Sequence, residues 1–125
     1  MIVLYSDCIV LGKNPSDTGG GYLLCDSDGE IIEKEIIYKK GFTNNEGELL
    51  GVLRATELVD SHGTVYTDSM NTIKWIKAGS SKARPDLSSL MARAKKNIIL
   101  KSINLVWINR YSNKAGLILD NMPIK

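Results

Sequence analysis

Three β-rich stretches with no helical period fill the first forty residues, and only after residue 43 do strand-like and helix-like patterns alternate. This order restricts the fold more than any single residue does. Ile2 to Leu11 is β-branched and aliphatic and closes at the turn-forming Gly12-Lys13-Asn14-Pro15. Gly19-Gly20-Gly21 leads into a second strand, Tyr22 to Cys25, and Asp26-Ser27-Asp28-Gly29 has the composition of a hairpin turn. Glu30 to Lys40 alternates as a half-exposed third strand, so an antiparallel meander is expected.

Thr43-Asn44-Asn45-Glu46 has the form of a capping box ahead of Leu49, Leu50, Val52, Leu53, Ala55, Leu58 and Val59, which recur at helical spacing. The spacing predicts a helix from about Asn44 to Ser61, with the reciprocal Glu46 carboxylate bonded to backbone. Gly63 separates it from a short buried strand, Thr64 to Thr67, and Asp68-Ser69 caps a second helix carrying Ile73, Trp75, Ile76 and Ala78. Gly79-Ser80-Ser81 breaks that helix, Pro85 and Asp86 open a third, and Ile103 to Ile108 reads as the last strand. Asn109 to Ser112 is a polar loop, Lys114 to Asn121 a short terminal helix, and a tail containing Pro123 follows. The expected fold is α/β, a single domain over residues 1–125. Its mixed five-stranded sheet has three antiparallel strands and two added in parallel, flanked by helices. A right-handed crossover puts the fourth strand beside the first.

Charge is divided unevenly: residues 1–62 carry five cations against eleven acids, and residues 63–125 carry eleven cations against three acids. The basic half suits a polyanion, though lysine-rich helices also occur simply as solvated faces. Cys8 and Cys25 fall in strand-like apolar runs and are expected to pack as reduced thiols. The start Met1-Ile2-Val3-Leu4-Tyr5-Ser6-Asp7 lacks the basic and long apolar regions of a signal peptide, and no stretch is long enough to span a membrane. A cytoplasmic setting is the expectation.

Four acids, Asp7, Glu48, Asp68 and Asp120, stand at element ends or edges that such a sheet brings together. Two carboxylates about 4 Å apart repel by roughly 4 kcal/mol at an effective dielectric near 20, so a convergent group stays ionised only beside a cation. Oxygen ligands favour Mg2+ or Mn2+. Asp7 interrupts an apolar strand, a costly place for an unpartnered acid. Asp68 follows a buried strand. Glu46 occupies the capping position, which leaves Glu48 free on the face of Val52, Ala55 and Val59. Asp120 is the last acid of the chain.

Taken together, Tyr5-Ser6-Asp7, Gly12-Lys13-Asn14-Pro15, Thr43-Asn44-Asn45-Glu46-Gly47-Glu48-Leu49, Tyr66-Thr67-Asp68-Ser69 and the segment from Trp107 to Asp120 resemble the ribonuclease H family, type 1, in a compact form without a basic protrusion. The resemblance implies an endonuclease that hydrolyses the RNA strand of RNA–DNA hybrids with two Mg2+ ions, Mn2+ being a substitute, and leaves 3′-hydroxyl and 5′-phosphate ends. Asp7, Glu48, Asp68 and Asp120 would be its ligands. It also implies that Asn14, Thr43, Asn44 and Asn45 contact the hybrid, while Lys74, Lys77, Lys82 and Arg84 are candidates for phosphate contacts. No obligatory protein partner is indicated.

The sequence departs from the family at three points. Cys8-Ile9-Val10 follows the first acid where small residues are usual, Met70 replaces a glutamine, and Leu117 stands where the late acid is expected, four residues after Asn113. His62 is read as a helix-terminal residue, and Trp75 and Trp107 as core. Two other readings keep the fold: a non-catalytic nucleic-acid-binding domain and a nuclease of DNA junctions.

Overall fold

The structure, a computed structural model, describes residues 1–122, so the tail at Pro123 lies outside the described residues. Five strands form one sheet: β1 (Val3–Val10), β2 (Gly19–Cys25), β3 (Ile31–Tyr38), β4 (Thr64–Thr67) and β5 (Asn104–Trp107). Their order across the sheet is β3-β2-β1-β4-β5. The pairs β1–β2 and β2–β3 are antiparallel, and β1–β4 and β4–β5 are parallel, as the strand and helix patterns predict. β2 begins at Gly19 rather than Tyr22, because its glycines already pair with β1 and β3.

Alternation along β1 divides its side chains between two cores. Leu4 faces the larger core, built with Leu49, Val52 and Leu53 of helix α1 (Asn44–Leu58), Val59 just after it, Trp75 and Ile76 of α2 (Met70–Ala78), and Met91 and Ala94 of α3 (Ser88–Lys101). Tyr5 and Ile9 face the smaller one, closed by Ala115, Ile118 and Leu119 of α4 (Lys114–Asp120). A single 3-10 turn, Pro85–Leu87, leads into α3, and another, Arg110–Ser112, occupies the expected polar loop.

Helix α1 ends at Leu58, three residues short of the expected Ser61, because Val59 is already extended (φ −72°, ψ 148°). Its freed carbonyls are satisfied from another element: Lys101 Nζ donates to the carbonyl oxygens of Thr56, Glu57 and Val59 at 2.9, 2.9 and 3.0 Å. A cation at a helix C-terminus also opposes the negative end of the helix dipole. His62 is therefore not helical. It sits in a turn with φ 65°.

The first half of α1 lies against the sheet through Gly47 and Gly51, one turn apart. A β-carbon on Gly51 would stand 2.4 Å from Ser6 Oγ and 2.9 Å from Tyr22 Cβ. Alanine gains about 1 kcal/mol in helix propensity over glycine, but overpacking a closed interface costs about 1–3 kcal/mol and such contacts belong at the upper end. Gly51→Ala is expected to lower stability by about 2 kcal/mol in urea denaturation. An unchanged or raised midpoint would show that the helix–sheet spacing adjusts freely.

Candidate metal centre

Strand β1 runs further than its parallel neighbour. β4 pairs with β1 only from Val3↔Thr64 to Tyr5↔Tyr66, so beyond Tyr5 the backbone groups of β1 on that side need other partners. Two side chains supply them. Cys8 N–H donates to Glu48 Oε1 at 2.7 Å, and Asn113 Nδ2 donates to the Ser6 carbonyl at 2.9 Å. The gap at the end of β4 thus draws in one residue from α1 and one from the start of α4.

Asp7 lies on the strand at this opening, and Asp68 is the residue after β4. Asp68 does not cap α2. Ser69 is the N-cap, accepting from Thr72 N–H at 3.2 Å, which frees the Asp68 carboxylate. Asn113 Nδ2 donates to Asp68 Oδ2 at 3.0 Å, and Trp107 Nε1 donates to the Asp68 carbonyl at 3.1 Å. Trp107 is therefore not a core residue, unlike Trp75; it is 46% exposed.

Burial raises the pKa of Asp7 to about 6, the charge of Asp68 adding to it. Glu48 is pushed up to about 8 by burial and then by Asp7 and Asp68. Glu48 is 5% exposed, and its Oε2 has no hydrogen-bond partner. A buried carboxylate oxygen with no hydrogen-bond partner, on a group raised by two neighbouring acids, is a donor that a cation would satisfy. Hard oxygen donors from separate elements fit Mg2+ or Mn2+. Ligand atoms of Asp7, Cys8 and Glu48 all lie within 4.8 Å of one another.

Asp120 stands apart from this group. It is exposed at the end of α4, pairs with Arg110 at 3.7 Å, and lines a cavity of about 570 Å3 that Asp7 also lines. The α4 residue that faces Asp7 is Gly116, where a β-carbon would stand 3.1 Å from Asp7 Oδ2. Asn14, Asn44 and Arg110 line the same cavity, and Asn44 N–H donates to Asn14 Oδ1 at 3.0 Å, tying the first loop to the start of α1.

Thr43 caps α1 by accepting from Glu46 N–H at 3.2 Å, but the other half of the capping box is not made. The Glu46 carboxylate instead pairs with Lys39 at 2.6 Å and Arg84 at 3.6 Å, two cations outcompeting a neutral amide. Arg84 Nη1 also donates to Thr43 Oγ1 at 3.2 Å, and Asn45 beside it is exposed. Lys74, Lys77 and Lys82 are exposed, the first two on α2.

Sequence reasoning missed Asn113 and Cys8 as parts of the site. An asparagine just before an apolar helical period is a cap signal, and Asn113 does cap α4, accepting from Ala115 N–H at 3.1 Å. Its second role, bridging Ser6 and Asp68, depends on tertiary structure alone.

Comparisons with known proteins agree with this architecture. Residues 7–122 match the model of the reverse transcriptase-like family. No curated protein sequence matches the chain. LC11-RNase H1, isolated from compost and solved in complex with an RNA/DNA hybrid, is similar at a TM-score of 0.62 and 24% identity, over 90% of this chain and 88% of that one. The N-terminal RNase H domain of rv2228c from Mycobacterium tuberculosis gives 0.67 and 23%, over 94% of each chain. RNase H1 from the archaeon Halobacterium salinarum gives 0.67 and 21%, over 97% and 98%. The family match spans nearly the whole chain and the sheet order, with its three antiparallel and two parallel strands, is that of these structures: the chain belongs to the reverse transcriptase-like family and has the ribonuclease H fold.

Proposed function

We propose that this protein is a compact, type 1 ribonuclease H that hydrolyses the RNA strand of RNA–DNA hybrids with two Mg2+ ions. The observation that carries this reading is the convergence of Asp7, Glu48 and Asp68 at the end of β4, with Glu48 Oε2 buried and unpartnered. A pair of ions there would supply an activated water and stabilise the leaving 3′-oxygen. Asp7, Glu48 and Asp68 would hold them, and Asp120 would add charge from the cavity it shares with Asp7. Asn113 orients the Asp68 carboxylate, and the Cys8 amide orients Glu48.

Asn14 and Asn44 line the cavity beside Asp7, where they would meet the hybrid, with Thr43, the N-cap of α1, and Asn45 next to Asn44 in the chain. Arg84 lies against Thr43 and would contact a phosphate, as would the exposed Lys74, Lys77 and Lys82. The structure of LC11-RNase H1 with an RNA/DNA hybrid supports this choice of partner. Among the described residues no helix is long and apolar enough to cross a membrane. Both cysteines are free, which suits the reducing cytoplasm.

One observation favours a second reading, a nucleic-acid-binding domain without hydrolysis: Gly116, not an acid, faces Asp7 from α4. A panel of RNA–DNA hybrid, duplex RNA, duplex DNA and a four-way DNA junction, assayed with Mg2+, Mn2+ and chelator, separates the readings. Hydrolysis is expected only of the hybrid, only with metal, and with 5′-phosphate on the product. Metal-independent binding with no cleavage would establish the second reading, and cleavage of the junction alone would place the enzyme among DNA nucleases.

A further inference from the structure

Cys8 follows Asp7 directly on β1, and alternation would ordinarily send the two side chains to opposite faces of the sheet. They nevertheless share a site because the sheet opens beyond Tyr5, so that Glu48 reaches across from α1 to the Cys8 amide. Gly47 makes the room, since a β-carbon there would stand 2.9 Å from Cys8 Cβ. The result is a sulfur and two carboxylates with ligand atoms within 4.8 Å of one another. The buried Glu48 Oε2, lacking any hydrogen-bond partner, stands among them.

We propose that Cys8, Asp7 and Glu48 form a three-ligand site for a thiophilic divalent ion such as Zn2+, which would compete at this centre with Mg2+. Around a tetrahedral zinc, with bonds of about 2.3 Å to sulfur and 2.0–2.2 Å to oxygen, three ligand atoms lie roughly 3.5 Å apart, so rotations of about an ångström complete the set. The fourth position stays open to water. Mg2+ gains nothing from sulfur, whereas Zn2+ binds thiolate strongly, so Cys8 biases one centre toward a different metal. On binding, the thiol proton passes to solvent and the S–Zn bond replaces the S–H bond. The inference rests on the metal-holding part of the proposed function and not on hydrolysis.

The test is a titration of the intact protein with Co2+, an optical stand-in for zinc, followed by displacement with Zn2+ in a calorimeter. Wild type is expected to show a sulfur-to-cobalt charge-transfer band that Zn2+ abolishes. Cys8→Ser and Cys8→Ala should lack the band and bind Zn2+ roughly tenfold or more weakly, while Cys25→Ser keeps both properties. Using two replacements of Cys8 guards against one that folds poorly, which circular dichroism would reveal. No band in wild type, a band that survives in either Cys8 variant, or unchanged zinc affinity in both would overturn the proposal. Hybrid cleavage in Mg2+ is read separately: a cobalt–sulfur band without cleavage sinks only the hydrolase reading, and cleavage without the band sinks only the thiolate site.

Discussion

Asp7→Asn is expected to reduce Mg2+-dependent cleavage of an RNA–DNA hybrid by more than about 100-fold while leaving hybrid binding within a few-fold of wild type. Asparagine keeps the shape and removes the charge. Asp7 lies beside both other acids: the charge of Asp68 raises its carboxyl, and its own charge raises that of Glu48. Losing it should therefore empty the centre of metal and not merely weaken one ligand. In the proposed function hybrid affinity would rest on the asparagines and cations proposed to contact it, which the substitution does not touch. Asp68→Asn should behave alike, although its amide would also disturb the bond from Asn113. Asp7→Asn should also stabilise the metal-free fold at neutral pH, because it removes a carboxylate that burial and the charge of Asp68 both disfavour. An inactive variant that is also less stable would indicate structural damage.

The second large effect is a loss of stability with rising pH in chelator, cancelled by Mg2+. Asp7 titrates near 6 and Glu48 near 8 in the fold, against ordinary values of 3.8 and 4.5. Below about pH 4 these carboxyls are protonated in both the folded and unfolded chain, and they favour neither. Between about 4 and 8 the folded protein holds protons that the unfolded chain has released, so stability falls as pH rises through this window. Asp7 alone accounts for on the order of 3 kcal/mol, equivalent to a drop of roughly 10 °C in Tm for a chain of this size. Saturating Mg2+ should flatten the profile by neutralising the ionised acids. Thermal melts from pH 5 to pH 8 with and without Mg2+ measure it. A flat profile in chelator would mean that burial and neighbouring charge do not raise the Asp7 and Glu48 carboxyls in the fold.

Much of the fold was legible because each element carries its own period. The isoleucine-rich run from Ile31 to Tyr38 and the helical spacing of Leu49, Val52, Leu53 and Ala55 are local signals, although burial along β3 does not alternate as the sequence pattern predicts. The errors lie where a distant residue intervenes. Lys101 caps the end of α1, and a lysine forty-odd positions away leaves no mark on the sequence near Ser61. Lys39 and Arg84 hold Glu46 away from its expected backbone partner.

The site divides in the same way. Asp7, Glu48 and Asp68 could be singled out from an acid in an apolar strand, a free acid one turn into a helix, and an acid after a buried strand, and the structure places them around one opening. The rest followed from pairing. Asn113 and Glu48 are drawn in by backbone groups that β1 exposes where β4 stops, a consequence of unequal strand lengths. Trp107 is apolar in pattern yet lies on the short edge strand β5, where little covers it and its indole N–H reaches Asp68. Asp120 is reachable by helical counting from Asn113, but the turn of α4 nearest Asp7 presents Gly116.

The most direct test is an anomalous-difference map from crystals grown or soaked with Mn2+. Two peaks within coordination reach of Asp7, one shared with Glu48 and one with Asp68, are the predicted result. A map with no ion against Asp7, or with manganese bound only at Asp120, would contradict the claim that these three acids are held together to bind a metal pair.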